Sequence, residues 1–306
     1  MKNIFFAVVL FFTTIYTFSQ CACCAGAGIG SLNGDYTNGI LTLPKSRVVL
    51  EAYSEYKTIK NGDAPEGDEK LLTSMQINSF GIRYGISKDF TLSAILPQIR
   101  LFTNNGSDNG IGDLILLGTY NFYQDNSLNF AIQGGFELPT GVQKESAFDN
   151  TTIIVGSGSY DPMIGLLISK KWNKLTLNTN VLYKKTNLGF QNNYYGSLST
   201  HSFSFTYRIK GESSICSIDK EATSPKSNFG LSTNLGFSGE WLDKLTEDSI
   251  EDNDSGHYLG LANLGVALSY KKWAIPISFS QPVINRMNGT QNDFGYRFRI
   301  GIIRAF

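Results

Sequence analysis

The chain has 306 residues, of which 42% are hydrophobic and 17% charged, and its 26 basic residues balance its 26 acidic ones. This balance removes the main electrostatic argument for nucleic-acid binding, and it implies neither an anionic nor a cationic partner. The length suits one large domain or two small ones, and the abundance of Gly, Asn, Ser, Thr, Tyr and Phe favours a single β domain.

Residues 1–19 have the features of a secretory signal peptide. Lys2 is followed by an apolar run and then by Thr17 and Ser19, small residues at the two signal-peptidase positions. The run is too short to span a bilayer, which takes roughly 20 apolar residues. We therefore expect export, with cleavage after Ser19; lipidation at Cys21 is the alternative.

Residues 20–44 form a segment rich in Cys and Gly that we expect in the periplasm. Cys21, Cys23 and Cys24 lie in it, and Cys216 lies in a later connection expected in the same compartment. An oxidising compartment favours a disulfide among these cysteines. A soft-metal site is the alternative, because thiolates select Cu(I) or Zn(II), although CxCC lacks the paired CxxC spacing of structural zinc sites. No cofactor is indicated.

Residues 45–306 alternate apolar and polar side chains with a period of two, which predicts β-strands. In the last segment, for example, Phe294, Tyr296 and Phe298 share one face while Arg297 and Arg299 share the other. The segments are roughly ten residues long, enough to cross a membrane when tilted. About twelve are centred near residues 52, 80, 95, 118, 133, 165, 180, 204, 235, 264, 278 and 300.

Short polar turns between these segments alternate with long loops. The turns lie near residues 87–89, 124–127, 170–174 and 271–272, and the loops near residues 59–71, 102–111, 142–158, 186–196, 242–256 and 285–293. This alternation is typical of outer-membrane barrels and separates them from soluble β-sandwiches. We predict an all-β fold, a transmembrane antiparallel β-barrel of about twelve strands with both termini in the periplasm. It must be closed because lipid tolerates no open sheet edge.

The two faces of the predicted strands have different roles. Aromatic residues near strand ends fit the girdles at the membrane interfaces: Tyr56, Tyr84, Phe90, Phe122, Trp172, Tyr207, Trp241, Tyr270 and Trp273. The polar face should line the lumen with Arg47, Glu51, Glu55, Arg83, Asp113, Glu137, Lys184, Arg208, Glu240, Arg297 and Arg299. If the last strand pairs with the first, Arg297 and Arg299 lie across the seam from Glu51 and Glu55 and neutralise them.

The chain ends in Phe306, preceded by aromatic and aliphatic residues at alternate positions. This ending looks like the C-terminal signal by which the bacterial barrel-assembly machinery recognises its substrates. We therefore predict the outer membrane of a Gram-negative bacterium as the location. Outer-membrane lipid and the assembly machinery are the predicted partners.

Three stretches carry a family resemblance: GIGDLILLGTYNF at residues 110–122, FELPTG at 136–141 and GSGSYDPMIGLLISKKW at 156–172. They resemble the outer-membrane transporters of the MetA-pathway of phenol degradation family, which is allied to the FadL-like channels for hydrophobic compounds. LSAILPQIRL at residues 92–101 fits the strand before the family's Gly-Asp motif. The resemblance implies a barrel channel and brings no set of catalytic residues with it.

We therefore predict a passive channel for small hydrophobic or aromatic compounds, and no enzyme. His201 and His257 are isolated near predicted outer strand ends, where girdle or loop residues are commoner than ligands. A hydrolase with Ser, His and an acidic residue on the outer wall is a remote alternative. The main alternative is a barrel that displays the periplasmic cysteine segment for metal binding or partner contact, without transport.

Overall fold

The computed structural model describes residues 42–60, 72–104, 106–145, 152–211 and 229–306. Within these ranges twelve antiparallel strands form one sheet: β1 (Val48–Lys60), β2 (Leu72–Gly85), β3 (Phe90–Thr103), β4 (Gly106–Ile111 continued by Leu114–Gln124), β5 (Leu128–Leu138), β6 (Asp161–Trp172), β7 (Leu175–Lys184), β8 (Leu198–Lys210), β9 (Phe229–Leu242), β10 (His257–Tyr270), β11 (Trp273–Met287) and β12 (Asp293–Ala305).

The sheet closes on itself. Each strand pairs with the next one along the chain, and β12 pairs with β1 from Val49↔Ala305 to Lys60↔Asp293. The predicted all-β barrel is therefore confirmed, and every predicted strand centre falls inside a strand. Among the described residues, helical structure is limited to a single 3₁₀ turn at Phe190–Asn192, and none of it could span a membrane.

Short connections gather at one end of the barrel, which we call the turn end: residues 86–89, 125–127, 173–174 and 271–272. Asn173 and Lys271 have φ of 50° and 52°, as tight hairpin turns require. Asp125 closes another turn by accepting the backbone N–H groups of Ser127 and Leu128 at 2.6 and 2.7 Å, and these bonds lower the pKa of its carboxyl. β1 begins and β12 ends at this end of the barrel.

The longer connections lie at the opposite end, the loop end. Residues 102–111, expected as a loop, instead extend the wall, because Gly106–Ile111 pairs with Gln98–Thr103. Backbone pairing needs no apolar side chains, so polarity alone misplaced this boundary. Residues Gln143–Glu145 and Thr152–Ile154 form a further hairpin within the loop between β5 and β6.

The outer wall is apolar. Large hydrophobic side chains alternate outward and stay exposed, for example Phe80 at 56% and Leu235 at 63% exposure, which suits contact with lipid. Eight of the nine predicted girdle aromatics are exposed, and Phe90 is half-buried. Near the turn end the Arg304 guanidinium lies over the Trp273 ring at 4.8 Å, so the charge is held where an aromatic girdle meets water.

One predicted outward residue turns inward. The β1–β12 register shifts between Lys57 and Ile59, and beyond this bulge Phe294 is buried against Leu259 and Leu261. A bulge inserts an extra residue and reverses the alternation that follows it. The period-two pattern alone therefore placed Phe294 on the wrong face.

Candidate functional site

The turn-end half of the lumen is filled by apolar side chains. Leu43, from the segment before β1, joins residues from facing walls in one buried cluster: Val49, Tyr53, Ile95, Ile115, Leu117, Met163, Leu182, Ala274, Ile303 and Ala305. The backbone N–H of Leu43 donates to the Thr91 hydroxyl at 2.7 Å, which fixes this segment beneath the barrel. This apolar layer closes the lumen at the turn end.

Above the apolar layer a charged belt crosses the lumen, formed by Glu55, Lys57, Arg297, Glu240 and His257. Arg297 makes a forked pair with Glu240, its two terminal nitrogens lying 2.6 and 3.2 Å from the carboxylate oxygens. His257 Nε2 lies 3.5 Å from Glu240, and Lys57 lies 3.2 Å from Glu55. The belt connects β1 and β12 with β9 and β10, so it spans part of the barrel's width.

A second buried group lies beside the belt. The Arg299 guanidinium lies 4.1 Å from the Tyr53 ring centroid, and Arg299 is directly opposite Glu55 in the β1–β12 register. Glu51 and Arg83 are also buried, and Glu51 is close enough to Arg83 and Arg299 for electrostatic attraction.

The loop between β5 and β6 folds into the mouth of the barrel. Asp113, in the Gly-Asp motif that interrupts β4, is fully buried and accepts the backbone N–H groups of Gly141 at 2.7 Å and Ser157 at 2.5 Å. A Cβ on Gly156 would come within 2.5 Å of the Asp113 carboxylate, so this approach requires glycine. Val155 of the same loop packs against Ile99 inside the barrel. The motif therefore fastens an inserted loop.

Next to this loop, Lys184 and Glu137 form an ion pair with a 2.7 Å separation and almost no exposure of either side chain. Asp161 accepts the Ser159 hydroxyl at 2.6 Å and the backbone N–H of Asn187 at 2.9 Å. These contacts tie the connections after β5 and after β7 to the strand ends.

A cavity of about 110 Å³ lies between the charged belt and the β7–β12 wall. Its polar lining includes Thr200, Asn234, Glu240 and Arg297. Its apolar lining includes Leu182, Leu198 and Leu261.

The wall is not uniformly paired at the loop end. Within residues 273–305, which the structure describes throughout, recorded β11–β12 pairing ends at Ser280↔Arg297, although both strands continue toward Met287 and Asp293. Pro282 lacks the N–H that would extend the ladder. Asn285 bridges the divergence by donating to the Phe294 carbonyl at 3.0 Å. The upper β11–β12 seam thus opens beside the cluster of Phe294, Leu259 and Leu261.

The predicted lumen residues occupy different places. Glu51, Arg83, Asp113, Glu137, Lys184, Glu240, Arg297 and Arg299 are buried, whereas Arg47 and Glu55 are half-buried. Arg208 lies at the turn end and donates to the Asn173 carbonyl at 3.1 Å. β12 does pair with β1, but Arg297 lies opposite Lys57 and takes Glu240 as its partner. Their role in lining a conducting lumen stays a prediction.

Two residues of the belt were missed from the sequence. Lys57 follows Glu55 on the same face, so strict alternation could have found it. His257 was expected at a girdle or loop, but it begins β10 and is 5% exposed. His201 does face outward, stacked on Tyr258 with ring centroids 6.0 Å apart.

Other predicted features lie outside the described residues: the signal peptide at 1–19, Cys21, Cys23, Cys24 and Cys216. In the part of the chain that the structure describes, no group of three His, Cys, Asp or Glu side chains is placed to hold a metal ion. Phe306 is half exposed at the turn end, and its N–H donates to the Val48 carbonyl at 2.9 Å. Its role as an assembly signal stays a prediction.

A closed twelve-stranded barrel with an apolar outer wall and a polar, partly filled lumen defines an outer-membrane β-barrel channel. Residues 77–215 match the model of the family described as "Putative MetA-pathway of phenol degradation". The family resemblance seen in the motifs is thereby confirmed, and it is that of a transporter and not an enzyme. No curated protein matches the sequence.

Several solved structures share the fold. The COG4313 outer membrane channel from Pseudomonas putida F1 superposes with a TM-score of 0.57 at 15% identity, covering 89% of this chain and 98% of that one. LpxR from Salmonella typhimurium gives 0.48 at 11% identity, covering 85% and 99%. The CymD monoaromatic hydrocarbon channel gives 0.44 at 8% identity, covering 86% and 89%. At these identities the likeness shows the fold alone.

Proposed function

We propose that this outer-membrane channel passes small hydrophobic or aromatic compounds by passive uptake, with its turn end facing the periplasm. The observation that carries the proposal is the upper β11–β12 seam. The wall pairing stops there beside Phe294, Leu259 and Leu261, so an apolar solute at the loop end meets an apolar lining and a break in the wall together. The description of the matched family, phenol degradation, supports the same class of solute.

The filled lumen argues against an open aqueous pore. The apolar layer closes the turn end, and the charged belt crosses above it. Twelve strands also enclose a narrower space than the 16–18 strands of water-filled porins. A hydrophobic solute that leaves sideways, through the upper seam into lipid, avoids both obstacles.

The test locks the seam. Asn285→Cys with Phe294→Cys, in a background where the four native cysteines are serine, places a reversible disulfide across the divergence. Phe279→Cys with Phe298→Cys is the matched control, because this pair lies in register where β11 and β12 are already paired. Labelled toluene uptake is measured in cells with and without each protein, before and after oxidation. Mass spectrometry verifies each crosslink.

We expect toluene uptake to depend on the protein, to fall several-fold when the upper seam is oxidised, and to recover on reduction. The control crosslink should leave uptake unchanged. Equal uptake with and without the protein would reject the proposed function. Protein-dependent uptake that ignores the upper crosslink would reject the lateral path alone.

The display alternative has no support from the comparisons, and its cysteines lie outside the described residues. Transport is therefore the function that the described residues and the family match favour.

A further inference from the structure

The cavity beside the charged belt holds buried polar atoms that have no protein hydrogen-bond partner. These are the Thr200 hydroxyl, the Asn234 carbonyl oxygen and the Arg297 Nε, on side chains that are no more than 9% exposed. Burying such groups unpaired is costly, and native structures pair most of them. The three groups together offer both donors and acceptors to whatever occupies the cavity.

The charges around the cavity are already compensated. Glu240 is held by Arg297 at 2.6 Å and approached by His257, and Lys184 is paired with Glu137 at 2.7 Å. A charged ligand would have to break one of these buried pairs to find a partner. An uncharged ligand with hydroxyl groups needs no such change, because a hydroxyl donates and accepts.

The remaining lining is apolar. Leu182, Leu198 and Leu261 are each no more than 5% exposed and border the same cavity. The volume of about 110 Å³ equals that of three or four water molecules at roughly 30 Å³ each. The cavity therefore suits a compact molecule with an apolar body and a polar end.

We propose that this cavity is a binding site for a small uncharged molecule that carries a hydroxyl group on an apolar ring or chain. Its hydroxyl meets Thr200 and Asn234, and its apolar part lies against the leucines. The site narrows the proposed function from hydrophobic compounds in general to hydroxylated ones, and it rests on that function for its place in transport.

The test compares cyclohexanol with methylcyclohexane, a hydrocarbon of equal size without the hydroxyl. Binding is measured by titration calorimetry on the full chain in lipid nanodiscs, with empty nanodiscs as the blank. Thr200→Val removes the cavity hydroxyl at nearly constant volume. Thr206→Val is the matched control, because Thr206 is equally buried and inward on β8, has no recorded hydroxyl partner either, and does not border the cavity.

We expect cyclohexanol to bind more tightly than methylcyclohexane. Thr200→Val should weaken cyclohexanol binding about fivefold, the ratio for one neutral hydrogen bond, and leave methylcyclohexane unaffected. Thr206→Val should change neither. Equal affinity for the two probes, or equal effects of the two variants, would overturn the proposal.

The two proposals fail separately. Hydroxyl-selective binding without protein-dependent toluene uptake would leave the site standing and reject the channel function. Toluene uptake without hydroxyl-selective binding would do the reverse.

Discussion

Arg297 shows how a single side chain organises the lumen. It lies opposite Lys57 in the β1–β12 register, so two positive charges are neighbours inside the barrel. Glu240 and Glu55 offset them at 2.6 and 3.2 Å. Desolvation makes a buried pair of this kind of modest net value, but removing one partner leaves an uncompensated charge.

Breaking the Arg297–Glu240 pair should destabilise the barrel strongly. Glu240→Gln leaves Arg297 and Lys57 less compensated, so we expect a loss of about 3–5 kcal/mol in the free energy of unfolding. The double variant Glu240→Gln, Arg297→Met should recover much of that loss. Urea unfolding of the barrel in lipid vesicles measures both.

Arg304→Met is the control for this pair, because Arg304 lies on the outer wall over Trp273. Its loss should cost about 1 kcal/mol or less. A double variant as unstable as Glu240→Gln alone would show that the stability does not depend on charge compensation.

The strands show which elements a sequence can predict. Alternation placed all twelve strand centres, since one face meets lipid and the other the lumen. It failed at residues 102–111, where polar residues continue the sheet, and at Phe294, where a bulge reverses the faces. It also could not pair Arg297 with Glu240. That contact depends on which side chains reach each other inside the barrel, and register on neighbouring strands does not contain that information.

The loop between β5 and β6 should depend on Asp113. Asp113→Ala removes the acceptor for Gly141 and Ser157, and each charge-assisted bond contributes about 1.5–3 kcal/mol. We expect limited proteolysis within residues 139–160 of the folded barrel to accelerate at least about tenfold. Asp125→Asn, at a turn-end carboxylate that also accepts two backbone N–H groups, should leave that rate unchanged. Equal cleavage of wild type and Asp113→Ala would mean that the loop is held by other contacts.

The whole molecule is a barrel whose interior is largely filled. An apolar layer, a charged belt and an inserted loop follow one another from the turn end to the loop end. The lumen should therefore pass few ions even though the barrel is closed and stable.

Single-channel recording in planar bilayers should show low conductance for the wild type. Leu117→Ala with Met163→Ala thins the apolar layer, because both residues flank Gly135 in adjacent registers, and should raise the conductance. Leu116→Ala with Ile164→Ala is the control on the same strands, since these side chains face outward. Large, stable conductance of the wild type would contradict a filled lumen.

The closure of β12 on β1 has a consequence for biogenesis. Every other barrel pairing in the described residues joins strands that are consecutive along the chain, so each can form as a local hairpin. The β1–β12 contact joins segments more than two hundred residues apart, and closing so long a chain segment is entropically the most demanding step. We expect this seam to zip last, and Glu55 meets Arg299 across it. The lumen charges contributed by the first and last strands would then acquire their partners only at the moment the barrel is completed.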